Sequence, residues 1–310
     1  MYRKVILLAL FGLSIIFWGQ VWAQNLSIND NSYVQNFDNG KIDWQTGLVT
    51  AVGTAAPPAN TMNLDQARAL ALRAATVVAR RNLLEIIKVV QIDSATSVAN
   101  CMVANNITLT QVRGFLQNSQ ILDTAYLSDG SVEVTVGVSL RGGLASVIIP
   151  KTIPFRPKIN KSEPVQQELL TPDLPVFSLV EEAGAQPQSE VEIEAPRTIY
   201  SGLLVDARGL GARPVMIPKI LDENGMDVYG SALVSREYAV QQGMVGYAKD
   251  LVKASQNPRV ADTPFIVKAI AAKGKAKTDL VIPNDKADEL RSLAKNHRFL
   301  EKCRVMIILD

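Results

Sequence analysis

The chain is poor in the residues from which reactive centres are built. Among 310 residues there is one histidine, His297, and there are two cysteines, Cys101 and Cys303. A lone His and two Cys in different halves of the chain do not make a zinc site of the usual ligand spacing. His297, next to Arg298 in a basic helix end, reads as an exposed residue favoured by the helix C-terminus. An excess of charge of one sign is also missing. With 32 basic against 30 acidic residues the formal net charge is +2, too small a field to mark a nucleic-acid surface. A membrane-length hydrophobic run is lacking too: the apolar run that starts at Val5 and ends near Trp18 is shorter than the roughly 20 residues a spanning helix needs.

That run has a different use. In "MYRKVILLALFGLSIIFWGQVWAQ", Arg3 and Lys4 precede the apolar stretch, and Val21 and Ala23 are small residues placed for cleavage after Ala23. This is the pattern of a secretory signal peptide over residues 1–23, with an uncleaved anchor as the alternative. The expected location is the periplasm, and the absence of a Cys near the cut closes the lipid-attachment route. An oxidising compartment permits a disulfide between Cys101 and Cys303. Two buried free thiols are the favoured alternative, because nothing in the sequence brings the two Cα atoms within about 7 Å.

The remainder, 47% hydrophobic and 20% charged, is globular in composition and long enough for two domains. After an extension at 24–43, a first module is expected over 44–150. "WQTGLVTAVGTA" reads as a strand, a helix begins near Asn63, and "SQILDTAYLSDGSVEVTVGVSL" reads as two strands joined at Asp129 and Gly130, since Asp-Gly supplies the positive φ a tight turn needs. Val132, Val134, Val136 and Val138 alternate with Ser131, Glu133, Thr135 and Gly137, which gives one Val-rich sheet face. Seven prolines between Lys151 and Pro196 make 151–196 an extended linker or a strap laid over a neighbour. Its apolar pair Val176 and Phe177 favours the strap. A second module follows over 197–310, with strands in "TIYSGLLVDARG", in "RPVMIPKILDENGMDVYG" (hairpin at Asn224-Gly225), in "TPFIVKAIAAKGKAKTDLVI" and in "KCRVMIIL". Helices are expected in "REYAVQQGMVGYAKDLVKA" and "NDKADELRSLAKNHRF". The fold class is α+β, a strand-helix-strand-strand module joined to a second α+β module.

The helix in "DQARALALRAATVVARRNLLEIIKVVQID" offers Leu64, Ala67, Leu70, Ala71, Ala74, Val77 and Val78 as one face at 100° per residue, the Ala residues allowing a close approach to a sheet. Beyond Val78, Arg81 and Glu85 continue onto that face at i,i+4 spacing. A solvated ion pair is one reading of them, and contact with another subunit the other.

Catalytic patterns fail on inspection. "AAKGKAKTDL" lacks the spacing of a phosphate loop, and "RGLGARP" lacks the third Gly and the helix of a dinucleotide fingerprint. Asp206 with Arg208, and Asp222 with Glu223, read as a pair and as turn formers. No nucleophile and base can be paired, so an enzyme is not expected, and no cofactor is implied.

"AVGTAAPP", the Ala74-Ala75 and Arg81-Asn82-Leu83 runs of the helix, and the Tyr126 to Val134 turn together resemble the LPP-twenty family of bacterial envelope lipoproteins, which includes flagellar accessory proteins of the FlgP and FlgT type. The resemblance covers the first module only and implies a strand-helix-strand-strand unit in proteins that build non-enzymatic rings or outer-membrane layers. The expected function is therefore a structural or assembly subunit of the envelope. It would bind protein partners and other copies of itself, at the outer membrane or a flagellar basal structure. The alternative is a monomeric periplasmic ligand-binding or chaperone-like protein.

Overall fold

The long helix and one glycine fix the geometry of the first sheet. In the computed structural model, which describes residues 31–59, 63–157, 199–296 and 298–310, helix α1 spans Leu64–Lys88 and is capped by Asn63, whose side chain accepts from the N–H groups of Asp65 and Gln66. It lies across strand β3 (Leu48–Ala55) at Gly53. A Cβ there would stand 2.1 Å from the Ala79 nitrogen and 2.5 Å from the Ala75 carbonyl oxygen. At so close an approach only small side chains fit between helix and sheet. The buried row is accordingly Ala67, Ala71, Ala75 and Ala79, followed by Leu83 and Ile87 where larger groups find room.

Ala67 and Ala71 are buried as expected, but the rest of the expected helix face is corrected. Leu64, Leu70, Val77 and Val78 are exposed, and the buried stripe is turned by about 100°, one residue's step. The aliphatics outnumber the alanines in the sequence, but the steric limit at Gly53 decides the orientation.

Five antiparallel strands form the sheet in the order β1-β2-β3-β5-β4: β1 is Val34–Phe37, β2 Gly40–Asp43, β4 Gln120–Tyr126 and β5 Val132–Ser139. Residues 34–43, expected in the extension, thus supply its first two strands. Val132, Val134 and Val136 are fully buried beneath α1. The Asp129-Gly130 turn is as expected: Gly130 has φ +84°, its N–H donates to Leu127 O at 3.0 Å, and Asp129 Oδ1 accepts from the Ser131 N–H and hydroxyl. Helices α2 (Val98–Ala104), α3 (Asn106–Gln117) and α4 (Gly143–Ile148) complete the module.

The second module begins with β6 (Gly202–Asp206) and the hairpin β7 (Ile220–Leu221) and β8 (Asp227–Tyr229). Next come α5 (Arg236–Gln242), β9 (Gly246–Ala248), α6 (Leu251–Ser255), β10 (Pro264–Lys268), β11 (Ala271–Lys273), β12 (Asp279–Val281), α7 (Asn284–Asn296) and β13 (Val305–Ile308). One sheet is wholly parallel, in the order β10-β6-β13-β9, and the other is mixed, β11-β12-β7-β8. The segment from Arg236 to Ala254, expected as helix, is interrupted. Gly243 ends α5 at φ +74°, and the next residues form β9, whose three residues are all buried.

The modules are not beads on a tether. Asn31–Asp310 is a single compact unit, and one contiguous core runs from Ile42 to Leu309. Backbone bonds stitch the halves: Ile217 N–H to Ile92 O at 2.8 Å, Gly142 N–H to Val240 O at 2.7 Å and Arg156 N–H to Val234 O at 2.9 Å. Trp44 meets Tyr247 edge-on at 5.7 Å between centroids, a geometry that adds about 0.5–1.5 kcal/mol beyond area burial. At the head of the proline-rich segment, Phe155 packs on the core beneath the Arg236 guanidinium. The signal peptide, Val176, Phe177 and His297 lie outside the described residues. No helix among the described residues is long and apolar enough to cross a membrane.

Candidate functional site

A groove opens on the helix-facing side of the β1–β2 hairpin. Tyr33, just before β1, alternates with Gln35 and Phe37 of that strand, and Ile42 lies opposite Gln35 in the register, so these side chains share one face with Trp44. They form one wall and the floor. Val89, Val90 and Gln91, where α1 ends, form the facing wall, and Arg213, Pro214 and Ala276 of the second module close one end. This part encloses about 390 Å³. Phe37 and Val89 also border a second hollow of about 470 Å³, lined as well by Asp38, Asn39, Asn82, Glu85 and Ile86.

Local chemistry explains why the groove keeps its shape. Trp44 Nε1 donates to Gln35 Oε1 at 3.1 Å, fixing both side chains on the floor. Asn82 reaches from α1 to donate to Val52 O at 2.7 Å, which pins the helix to the sheet beside the hollow. Val89, the C-cap of α1, remains 53% exposed, an apolar group left at the centre of the groove. The two ends differ in charge: Arg213 stands at one, Asp38 and Glu85 at the other. Burial raises the Tyr33 pKa, and the nearby Arg213 charge partly offsets it.

The expected interface residues separate here. Glu85 lines the second hollow, whereas Arg81 is exposed and is not among the residues that line it. They do not pair with each other. Glu85 bonds Lys88 at 2.8 Å, the i,i+3 neighbour, and no ion pair to Arg81 is present among the described residues. Both cysteines are free thiols. Cys303 is fully buried, and desolvation pushes its pKa up to about 11, which keeps it protonated and unreactive. Burial likewise raises the Cys101 pKa, with Asp93 adding to the shift.

The remaining candidates are structural. Arg208 binds Asp206 through two nitrogens at 2.9 and 2.7 Å, which holds the Asp206 carboxyl below its usual range. Asp222 accepts from Met226 N–H in the hairpin and from Arg291 at 2.7 Å. Glu223 accepts from Asn284 N–H at the start of α7. Gly274 and Lys277 close a turn at 3.1 Å. Among the described residues no group of His, Cys, Asp or Glu is arranged to hold a metal.

Residues 202–310 match a family model described as Treponema pallidum Tp0624, second domain. The match spans the second module from β6 through β13 and falls short of half the chain. No curated protein matches the sequence. Sequence reasoning missed the groove because its walls come from four separated stretches. The one local signal was Val89-Val90, an apolar pair continuing past the helix.

Proposed function

We propose that the protein is a non-enzymatic, exported component of the bacterial cell envelope that assembles with protein partners, further copies of itself first among them. The observation that carries this reading is the pair of adjoining hollows that share exposed Val89 and Phe37, with Arg213 lining one and Asp38 and Glu85 the other. Such a trough suits an extended or helical segment that places an apolar side chain against Phe37 and Val89. The partner would set a base toward Asp38 and Glu85 and an acid toward Arg213. The resemblance of the first module to LPP-twenty proteins supports a place at the outer membrane or a flagellar basal structure.

Light scattering on the mature protein over a range of concentrations tests the reading. Wild type should form species larger than the monomer. Val89→Lys should shift the protein toward monomer mass with little change in melting temperature, because a cation at a helix C-terminus is compatible with the dipole. Val77→Lys, on the outer face of α1, should assemble like wild type. Monomer mass for wild type at every concentration, or equal assembly of Val89→Lys, would remove the proposal.

A further inference from the structure

Strand β10 lies at one edge of the parallel sheet, and its residues alternate between core and surface. Phe265 and Val267 are buried, whereas Ile266 is 49% exposed and Asp262 and Lys268 are exposed on the same parity. The outward row therefore reads acid, Pro264, apolar, base at a period of two. Lys268 stands opposite Asp206 in the register, but both oxygens of that carboxylate already bind Arg208.

This row complements the two hollows beside α1 in charge and in span. Arg213 lines one hollow, Asp38 and Glu85 the other, and Phe37 and Val89 are common to both. Tyr33, which feels the Arg213 charge, and Asp38 are five residues apart, about 17 Å at the rise of a strand. Asp262 and Lys268 are six residues apart and can stand no more than about 20 Å from each other. Other exposed apolar side chains fit less well. Val77 has Arg73, Arg80 and Arg81 as its neighbours in charge and no acid, while Tyr126 stands between Asp123 and Asp129 with no base from Gly114 to Leu140. Val103 and Ile107 lie in a stretch, Ser94 to Val112, that carries no charge. Leu64 and Val252 each have an acid and a base close by, but on helices and three residues apart, about 5 Å along the axis.

The two surfaces stand on opposite sides of the chain. The parallel sheet runs β10-β6-β13-β9, and residues 31–33 extend it past β9. Ser32 bridges Ala248 antiparallel, and Lys249 N–H donates to Asn31 O at 3.3 Å. That arm leads directly into β1, the wall of the hollows. Four strand spacings, about 19 Å, separate it from β10, so a chain cannot turn its own β10 into its own hollows. We propose that β10 of one copy lies along the hollows of the next, with Ile266 against Phe37 and Val89, Asp262 toward Arg213, and Lys268 toward Asp38 and Glu85. The contact joins two different surfaces and therefore repeats head to tail, open or closed. It rests on the self-association proposed above and names the segment that fills the hollows.

A charge exchange followed by sedimentation of the mature protein tests the contact. Asp262→Arg sets two bases against each other across it, and Arg213→Asp sets two acids. Each variant alone should self-associate about three- to tenfold more weakly than wild type. An equimolar mixture of the two should recover assembly, because the β10 of each variant then meets a hollow of opposite charge on the other. Ile266→Lys should weaken assembly as Val89→Lys does while melting near wild type. A mixture that associates no better than its components, or wild-type assembly in Ile266→Lys, would overturn the proposal. If Val89→Lys still weakens assembly in that case, the hollows keep their role and a different segment fills them. Wild-type assembly in Val89→Lys would instead remove the self-association reading, and this contact with it.

Discussion

Asp279, at the start of β12, is buried, and its Oδ1 has no hydrogen-bond partner among the described residues. Desolvation raises its pKa, opposed by a hydrogen bond from Ser94 and by Lys219, while Asp93 and Asp227 add to the rise. The folded state therefore holds this proton more tightly than the unfolded chain does. The contribution to stability is complete below the ordinary Asp pKa of about 4 and is lost as pH rises through the folded-state value. Asp279→Asn should melt with wild type at acid pH and above it at about pH 7 to 8. Parallel pH profiles for the two proteins would contradict the assignment. At the same scale Gly53→Ala should destabilise by at least about 1–3 kcal/mol in denaturant unfolding, because its Cβ meets helix backbone that cannot rotate away. Wild-type stability in that variant would mean that α1 does not sit so close.

At the scale of elements, what could be read from the sequence was what depends on neighbours in sequence. The helix start near Asn63, the Asp129-Gly130 turn, the Val-rich face of β5 and the buried closing strand all follow from local chemistry, and the structure shows each. Contacts between distant residues were not legible. The rotation of α1 depends on Gly53. The break at Gly243 yields only a three-residue strand, too short for any periodicity, and β1 and β2 are short and half polar. The pairing of Arg81 with Glu85 fails for a simple reason: Lys88 offers Glu85 a partner one turn along. That exposed Lys88–Glu85 pair contributes less than about 1 kcal/mol. Glu85→Lys should thus leave the melting temperature nearly unchanged while weakening self-association measured by sedimentation. Unchanged association would take Glu85 out of the interface.

On the scale of the whole molecule, the two modules share a core and a set of backbone bonds, so the described residues should unfold as one. Calorimetry should give a single transition with matching calorimetric and van't Hoff enthalpies. Two resolved transitions would restore the picture of independent domains. The groove inherits its rigidity from this union, since Arg213 and Pro214 face Val89 across it only while the modules stay joined. Hydrogen exchange compared between assembled and dilute protein tests the proposed role most directly. The account predicts new protection concentrated at Gln35–Asn39 and Val89–Gln91. Protection gained only on the outer face of α1 around Val77, with these groove walls unchanged, would contradict it.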